Sequence, residues 1–144
     1  EKQMSDFMLG NQLSNLFTAI EASCQEYMKN HRRKNDNSRH RVLHRFWILI
    51  VENCKEQHEV RFYAEKLNIS TRYLAKITRS TMDKSPKECI DWQIITELKQ
   101  LLSNTNLSIK EIADKFGFES SSHLISYFRR HTGMTMGNFR KSSL

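Results

Sequence analysis

The chain has 144 residues, enough for one domain or one domain with an appendage, and its 23 Lys/Arg against 16 Asp/Glu leave a formal net charge of +7. That surplus fits a polyanionic partner. One proline, four glycines and little alternation of apolar with polar residues point to an all-α protein. No apolar run approaches the ~18 residues of a membrane span, no signal peptide is visible, and three cysteines without a CxxC pair read as reduced cytoplasmic thiols.

The chain opens at Glu1 with no methionine and is expected to be a piece of a longer protein. Residues 6–30 are predicted to be helical, because Leu9, Leu13, Leu16, Phe17, Ile20, Cys24, Tyr27 and Met28 recur at steps of three and four. The run HRRKNDNSRHR (31–41) breaks that pattern and reads as a solvated loop, with a phosphate-binding basic patch as the sharper alternative. A second helix is expected over 42–54. Its stretch FWILIV (46–51) is apolar right round, so it needs cover on more than one side. One neighbouring helix covers one face only. A second chain or a further domain is the expected cover for the rest, with Leu13, Phe17, Ile20, Phe46, Trp47 and Ile50 as dimerisation contacts on a linker segment, residues 1–57.

From residue 58 the same helical unit is written twice. An offset of 49 pairs Val60 with Ile109, Tyr63 with Ile112, Ala64 with Ala113 and Ile69 with Phe118. One extra residue in the second turn shifts the offset to 50, which pairs Leu74 with Leu124, Ile77 with Tyr127, Arg79 with Arg129 and Ser85 with Thr135. Each copy is a short helix, a tight turn and a second helix with basic residues outward, the pattern of a helix-turn-helix. The first unit is expected over about 58–80 and the second over about 108–131. Residues 1–57 hold nine Lys/Arg against seven Asp/Glu and residues 58–144 hold fourteen against nine, so the basic surplus lies mainly with the repeat.

Helix ends are marked throughout. Ser70 and Ser120 are placed to cap the second helix of each unit, and Ser108 with Glu111 forms a capping box. Ser85-Pro86-Lys87-Glu88 is another, opening a linking helix over about 86–102 with Ile90, Ile94, Leu98, Leu101 and Leu102 toward the core. SNTNLS (103–108) ends it, and a short helix at 136–141 closes the domain, 58–144. About seventeen residues at ~1.5 Å each span roughly 25 Å, a spacer suited to two successive major grooves about 34 Å apart.

The outward residues of the two second helices carry the chemistry. In the first, Thr71, Arg72, Ala75 and Lys76 are expected to meet bases, since Arg72 and Lys76 at i, i+4 both project toward guanine O6 and N7. In the second, Ser121, Ser122, Ile125 and Ser126 take that role, with an outward Ile125 fitted to a thymine methyl. Ser70, Arg79, Ser108, Ser120, Arg129 and Arg130 are the expected phosphate contacts. The bland alternative for the charges is an ordinary solvated face; their place in the repeat argues against it. His123 has only His131 near ligand spacing and reads as a border residue. No nucleophile with a base, glycine-rich phosphate loop or carboxylate pair stands out, so neither an enzyme nor a bound metal or cofactor is expected.

GFESSSHLISYFRRHTGMT (117–135) followed by FRK (139–141), with AEKLNISTRYLAKI (64–77) and LSIKEIADKFGF (107–118), resembles the DNA-binding domain of AraC/XylS-type transcription regulators. The resemblance covers residues 58–144. It implies two helix-turn-helix units joined by a central helix, binding to double-stranded promoter DNA, and RNA polymerase as a further partner. The family's base-contacting positions fall on Arg72, Ala75 and Lys76 and on Ser121, Ser122, Ile125 and Ser126. The N-terminal helices resemble the dimerising pair that follows a sensor barrel in this family, implying a homodimer and an effector-binding domain before Glu1. This sequence departs from the pattern at Ser126 and Ile94, where arginine is usual, and at Asp83 and Met136, where glycine and proline are usual. The first departure weakens the base contacts of the second unit; the others touch helix ends and packing. The rival readings are the output domain of a phosphorylation-driven response regulator and a helical protein-interaction module with a basic face.

Overall fold

The computed structural model describes residues 34–142, so the helix expected over 6–30, with Leu13, Phe17 and Ile20, lies outside the described residues. Among the described residues there are seven helices and no strand: α1 (Lys34–Asn53), α2 (Val60–Lys66), α3 (Thr71–Met82), α4 (Pro86–Asn104), α5 (Ile109–Lys115), α6 (Ser121–Thr132) and α7 (Met136–Ser142). The backbone divides into two compact units, Glu1–Arg41 and Val42–Leu144. Of the first, only its last eight residues, 34–41, are described, and they are helical.

The expectation of a loop over 31–41 is corrected for 34–41, which form the start of α1. That stretch is polar but contains no glycine or proline. Polarity alone does not stop a helix, because ordinary residues cost at most about 0.7 kcal/mol each relative to alanine.

The second unit is held by one apolar core through which α4 runs. Cys89, Ile90, Ile94, Ile95, Leu98 and Leu102 of α4 are buried, on turns that meet α2 and α3 on the first-unit side and α6 and α7 on the second. Ile94, where the family commonly has arginine, is wholly buried and belongs to this core. Both expected capping boxes are present at the starts of α4 and α5, each serine accepting from its glutamate's N–H at 3.2 Å.

The fate of α1 differs from expectation. Leu43, Phe46, Ile50 and Cys54 recur at steps of three and four and are buried in the core, Phe46 and Ile50 at 0% exposure. Phe46 meets Tyr63 edge-on with ring centroids 5.7 Å apart. Phe46 and Ile50 are therefore corrected from dimer contacts to interior residues. Each fully buried side chain of this size contributes about 1.5–3 kcal/mol through burial. Trp47 is half-buried and edge-on to Trp92 at 6.0 Å, while Ile48 (44%) and Val51 (50%) are the exposed remainder of the apolar run. An all-round apolar helix announces that it will be covered without saying by what. Here Phe46 meets Tyr63 of α2 and Trp47 meets Trp92 of α4 within this chain.

Candidate nucleic-acid interface

The two units share their turns bond for bond. After α2, Asn68 adopts a left-handed φ of 54° and the Ile69 N–H reaches the Ala64 carbonyl at 3.0 Å. After α5, Gly117 takes φ 61° and the Phe118 N–H reaches Ala113 at 3.0 Å. Asp83 (φ 53°) and Gly133 (φ 73°) likewise end α3 and α6, donating to the Arg79 and Arg129 carbonyls. Four residues separate α2 from α3 and five separate α5 from α6, the insertion expected from the shift of offset.

On α3, Leu74 and Ile77 are buried and Thr71, Arg72, Lys76 and Arg79 are exposed, with Ala75 half-buried between them. On α6, Leu124, Tyr127 and Phe128 are buried; Ser122, Ile125, Ser126, Arg129 and Arg130 are exposed and Ser121 is half-buried. Ile125 leaves 40% of its surface in water with no core role. Each helix thus divides into an inward and an outward face along the expected lines.

Electrostatics separates these two helices from those that support them. Neither α3 nor α6 contains a carboxylate, whereas α1, α2, α4 and α5 each contain at least one. Ser70 and Ser120 cap α3 and α6, accepting from Tyr73 and His123 N–H at 3.1 Å. Neither first turn contains an acidic residue, so neither cap is closed by a carboxylate as at α4 and α5. Ser108 is different. Its hydroxyl donates to Glu111 at 2.7 Å, and hydrogen bonds from Ser108 hold the Glu111 carboxyl below its usual range. A phosphate approaching Ser108 would meet that carboxylate. The Ser85–Glu88 box is built the same way, with Glu88 lowered by its hydrogen bonds from Ser85.

A polar cluster joins α4 to α6. Asp91, only 7% exposed, accepts the Tyr127 hydroxyl at 2.7 Å and the Lys87 ammonium at 3.2 Å, and His131 Nε2 lies 3.8 Å away. Burial, reinforced by the hydrogen bond to Asp91, pushes the Tyr127 phenol far above its ordinary value. Lys87 also donates to the His58 carbonyl at 2.9 Å. The His58 ring, 5.2 Å from Phe118, has its pKa lowered, by burial first and then by Lys87. Sequence reading placed Tyr127 in the core but missed its partner. The available signal was a hydroxyl at the position where the first copy has Ile77, since a buried tyrosine hydroxyl usually finds an acceptor. Arg140, in the FRK signature, serves structure: its guanidinium donates to the Leu107 and Leu102 carbonyls at 2.6 and 3.4 Å.

His123 packs against Phe118 as a border residue. Among the described residues no group of three His, Cys, Asp or Glu is arranged to hold a metal, and no helix is long and apolar enough to cross a membrane.

A family model described as a helix-turn-helix domain matches residues 63–142, more than half the chain. The chain belongs to the AraC-type helix-turn-helix family. Curated relatives include the melibiose operon regulatory protein of Escherichia coli K12, 33% identical over 112 residues that cover 76% of this chain and 37% of the relative. The Msm operon regulatory protein of Streptococcus mutans is 29% identical over 126 residues, 88% of this chain and 45% of the relative. The chain therefore spans less than half the length of either. Among solved structures, the DNA-binding domain of AdpA in complex with a target DNA superposes with a TM-score of 0.60 at 26% identity, over 67% of this chain and 87% of that one. Residues 63–142 are thus a helix-turn-helix domain of the AraC type.

Proposed function

We propose that this AraC-type domain reads two successive major grooves of promoter DNA, with α3 and α6 as the two reading helices. The observation that carries this is the pair of structurally matched units, each with a carboxylate-free, outward second helix, built on the single core around α4. The nineteen residues of α4 span about 28 Å at ~1.5 Å each, close to one turn of DNA. In this reading Arg72 and Lys76 donate to guanine, with Thr71 and Ala75 against neighbouring bases. Ile125 meets a thymine methyl, flanked by Ser121, Ser122 and Ser126. Arg79, Arg129 and Arg130, with the hydroxyls of Ser70 and Ser120, hold phosphates and set the register.

The whole protein would act in the cytoplasm at the nucleoid as a homodimer. Residues 1–57 would form the linker to an effector-binding domain before Glu1, and promoter-bound RNA polymerase would be a further partner. Pairing would join two sites on one DNA and multiply affinity without new base contacts. With Phe46 and Ile50 interior, the pairing surface falls to the N-terminal segment and the exposed side of Trp47. The test is selection by residues 1–144 from a random duplex library at physiological salt. Two enriched blocks one helical turn apart are expected; one short block would mean that α6 only anchors.

A further inference from the structure

We propose that Asp91 is a positioning residue for DNA reading. By accepting the Tyr127 hydroxyl it fixes the rotation of α6 on α4, and with it the spacing at which the second unit meets DNA already held by the first. The inference rests on the two-groove reading above.

Asp91 is a carboxylate in an apolar row, its neighbours Ile90, Ile94 and Ile95 all buried. Two α6 residues one turn apart converge on it, Tyr127 at 2.7 Å and His131 at 3.8 Å. The short hydrogen bond from Tyr127 is the attachment point that opposes rolling of that helix, and His131 packs beside it. Apolar contact is non-directional and tolerates small rotations, whereas a hydrogen bond weakens steeply as its angle departs from linear. The first unit lacks such a tie. There the repeat counterparts of Tyr127 and His131 are Ile77 and Thr81, and among the described residues no side-chain hydrogen bond or ion pair joins α3 to α4.

The consequence lies on the opposite face of α6. Ser126 is the residue before Tyr127, and Ser122, Ile125 and Arg129 share its exposed side. A roll of about 20° on a helix of roughly 5–6 Å radius moves an outward side chain about 2 Å, enough to lose a base-edge contact.

The experiment measures affinity of residues 1–144 for the selected duplex and for duplexes with one base pair added or removed between its blocks. Wild type is expected to prefer the selected spacing. Tyr127→Phe keeps the ring but removes the hydroxyl; it should reduce that preference about tenfold, the low end for one hydrogen bond to a charged group. Its affinity for the first block alone should stay unchanged. An equal preference in Tyr127→Phe, or a loss of affinity uniform across spacings, would overturn the inference while leaving the two-groove reading in place. A wild type indifferent to spacing would remove both. Should Tyr127→Phe fail to fold, Asp91→Asn and Asp91→Leu carry the comparison. The amide oxygen still accepts the phenol, so Asn is expected to retain the spacing preference and Leu to lose it; equal loss in both would overturn the claim.

Discussion

The first unit presents Arg72, Lys76 and Arg79 along the outer face of α3, and no side-chain hydrogen bond or ion pair among the described residues joins α3 to α4. The second presents Ser122, Ile125 and Ser126, keeps its cations at Arg129 and Arg130 toward the end of α6, and is bonded to α4 through Tyr127 and to the end of α4 through Arg140. Strong hydrogen-bond donors stand on the reading helix that has no side-chain hydrogen bond to α4. Weak donors stand on the unit held by directional bonds. A serine hydroxyl or an isoleucine methyl discriminates only when closely placed, so the second unit gains most from a fixed orientation.

The largest effect expected bears on whether the two units share one core. Leu74 and Leu124, partners in the repeat, are both wholly buried. Replacing either with alanine should cost about 2–5 kcal/mol in urea denaturation, within a single transition. Two separated transitions after Leu124→Ala would divide the units and weaken the role given to α4.

The division of reading labour comes next. Arg72→Ala should cost about 1–3 kcal/mol of discrimination at its base, as expected for a bidentate contact to guanine. Ser122→Ala should cost less in the same competition assay. A reversed ranking would overturn the comparison between units.

The two left-handed helix ends sharpen it further. Gly133→Ala, at φ 73°, should destabilise the domain by about 1 kcal/mol, because a Cβ is strained there even though open space surrounds it. Asp83→Gly, at the equivalent end of α3, should stabilise it by a few tenths of a kcal/mol, since aspartate tolerates this conformation better than most residues. Thermal melts of both variants decide.

The smallest effect is a pH dependence. Burial holds the His58 pKa in the folded state below the ordinary imidazole value of about 6.5, so the folded state binds fewer protons than the unfolded. Its contribution is complete above that value and is lost as pH falls toward the lowered folded pKa. The melting temperature should therefore drop on mild acidification, and His58→Phe, which keeps a ring against Phe118, should flatten that drop. An unchanged slope in the variant would assign the dependence to other groups.

Much of this was legible in the sequence because it is local. Serine caps, the glutamates three residues on and the apolar steps along α3 and α6 are patterns within a turn or two, and the repeat states each of them twice. The helicity of 34–41 was not legible, because a polar run without glycine or proline does not say whether a helix enters it. The interior place of Phe46 and Ile50 was hidden for a different reason, since hydrophobicity specifies burial but not the burying partner. Asp91 and Tyr127 lie 36 residues apart. Only the tertiary fold brings them together, and a single sequence carries no direct trace of such a pair.

The most direct test of the central claim is hydroxyl-radical footprinting of residues 1–144 on the selected duplex. Two protected blocks about one helical turn apart on one face of the DNA, with Ser122→Ala and Ile125→Ala weakening only the second, are the predicted result. A single protected block, unchanged by substitutions in α6, would contradict the claim that both helices read DNA.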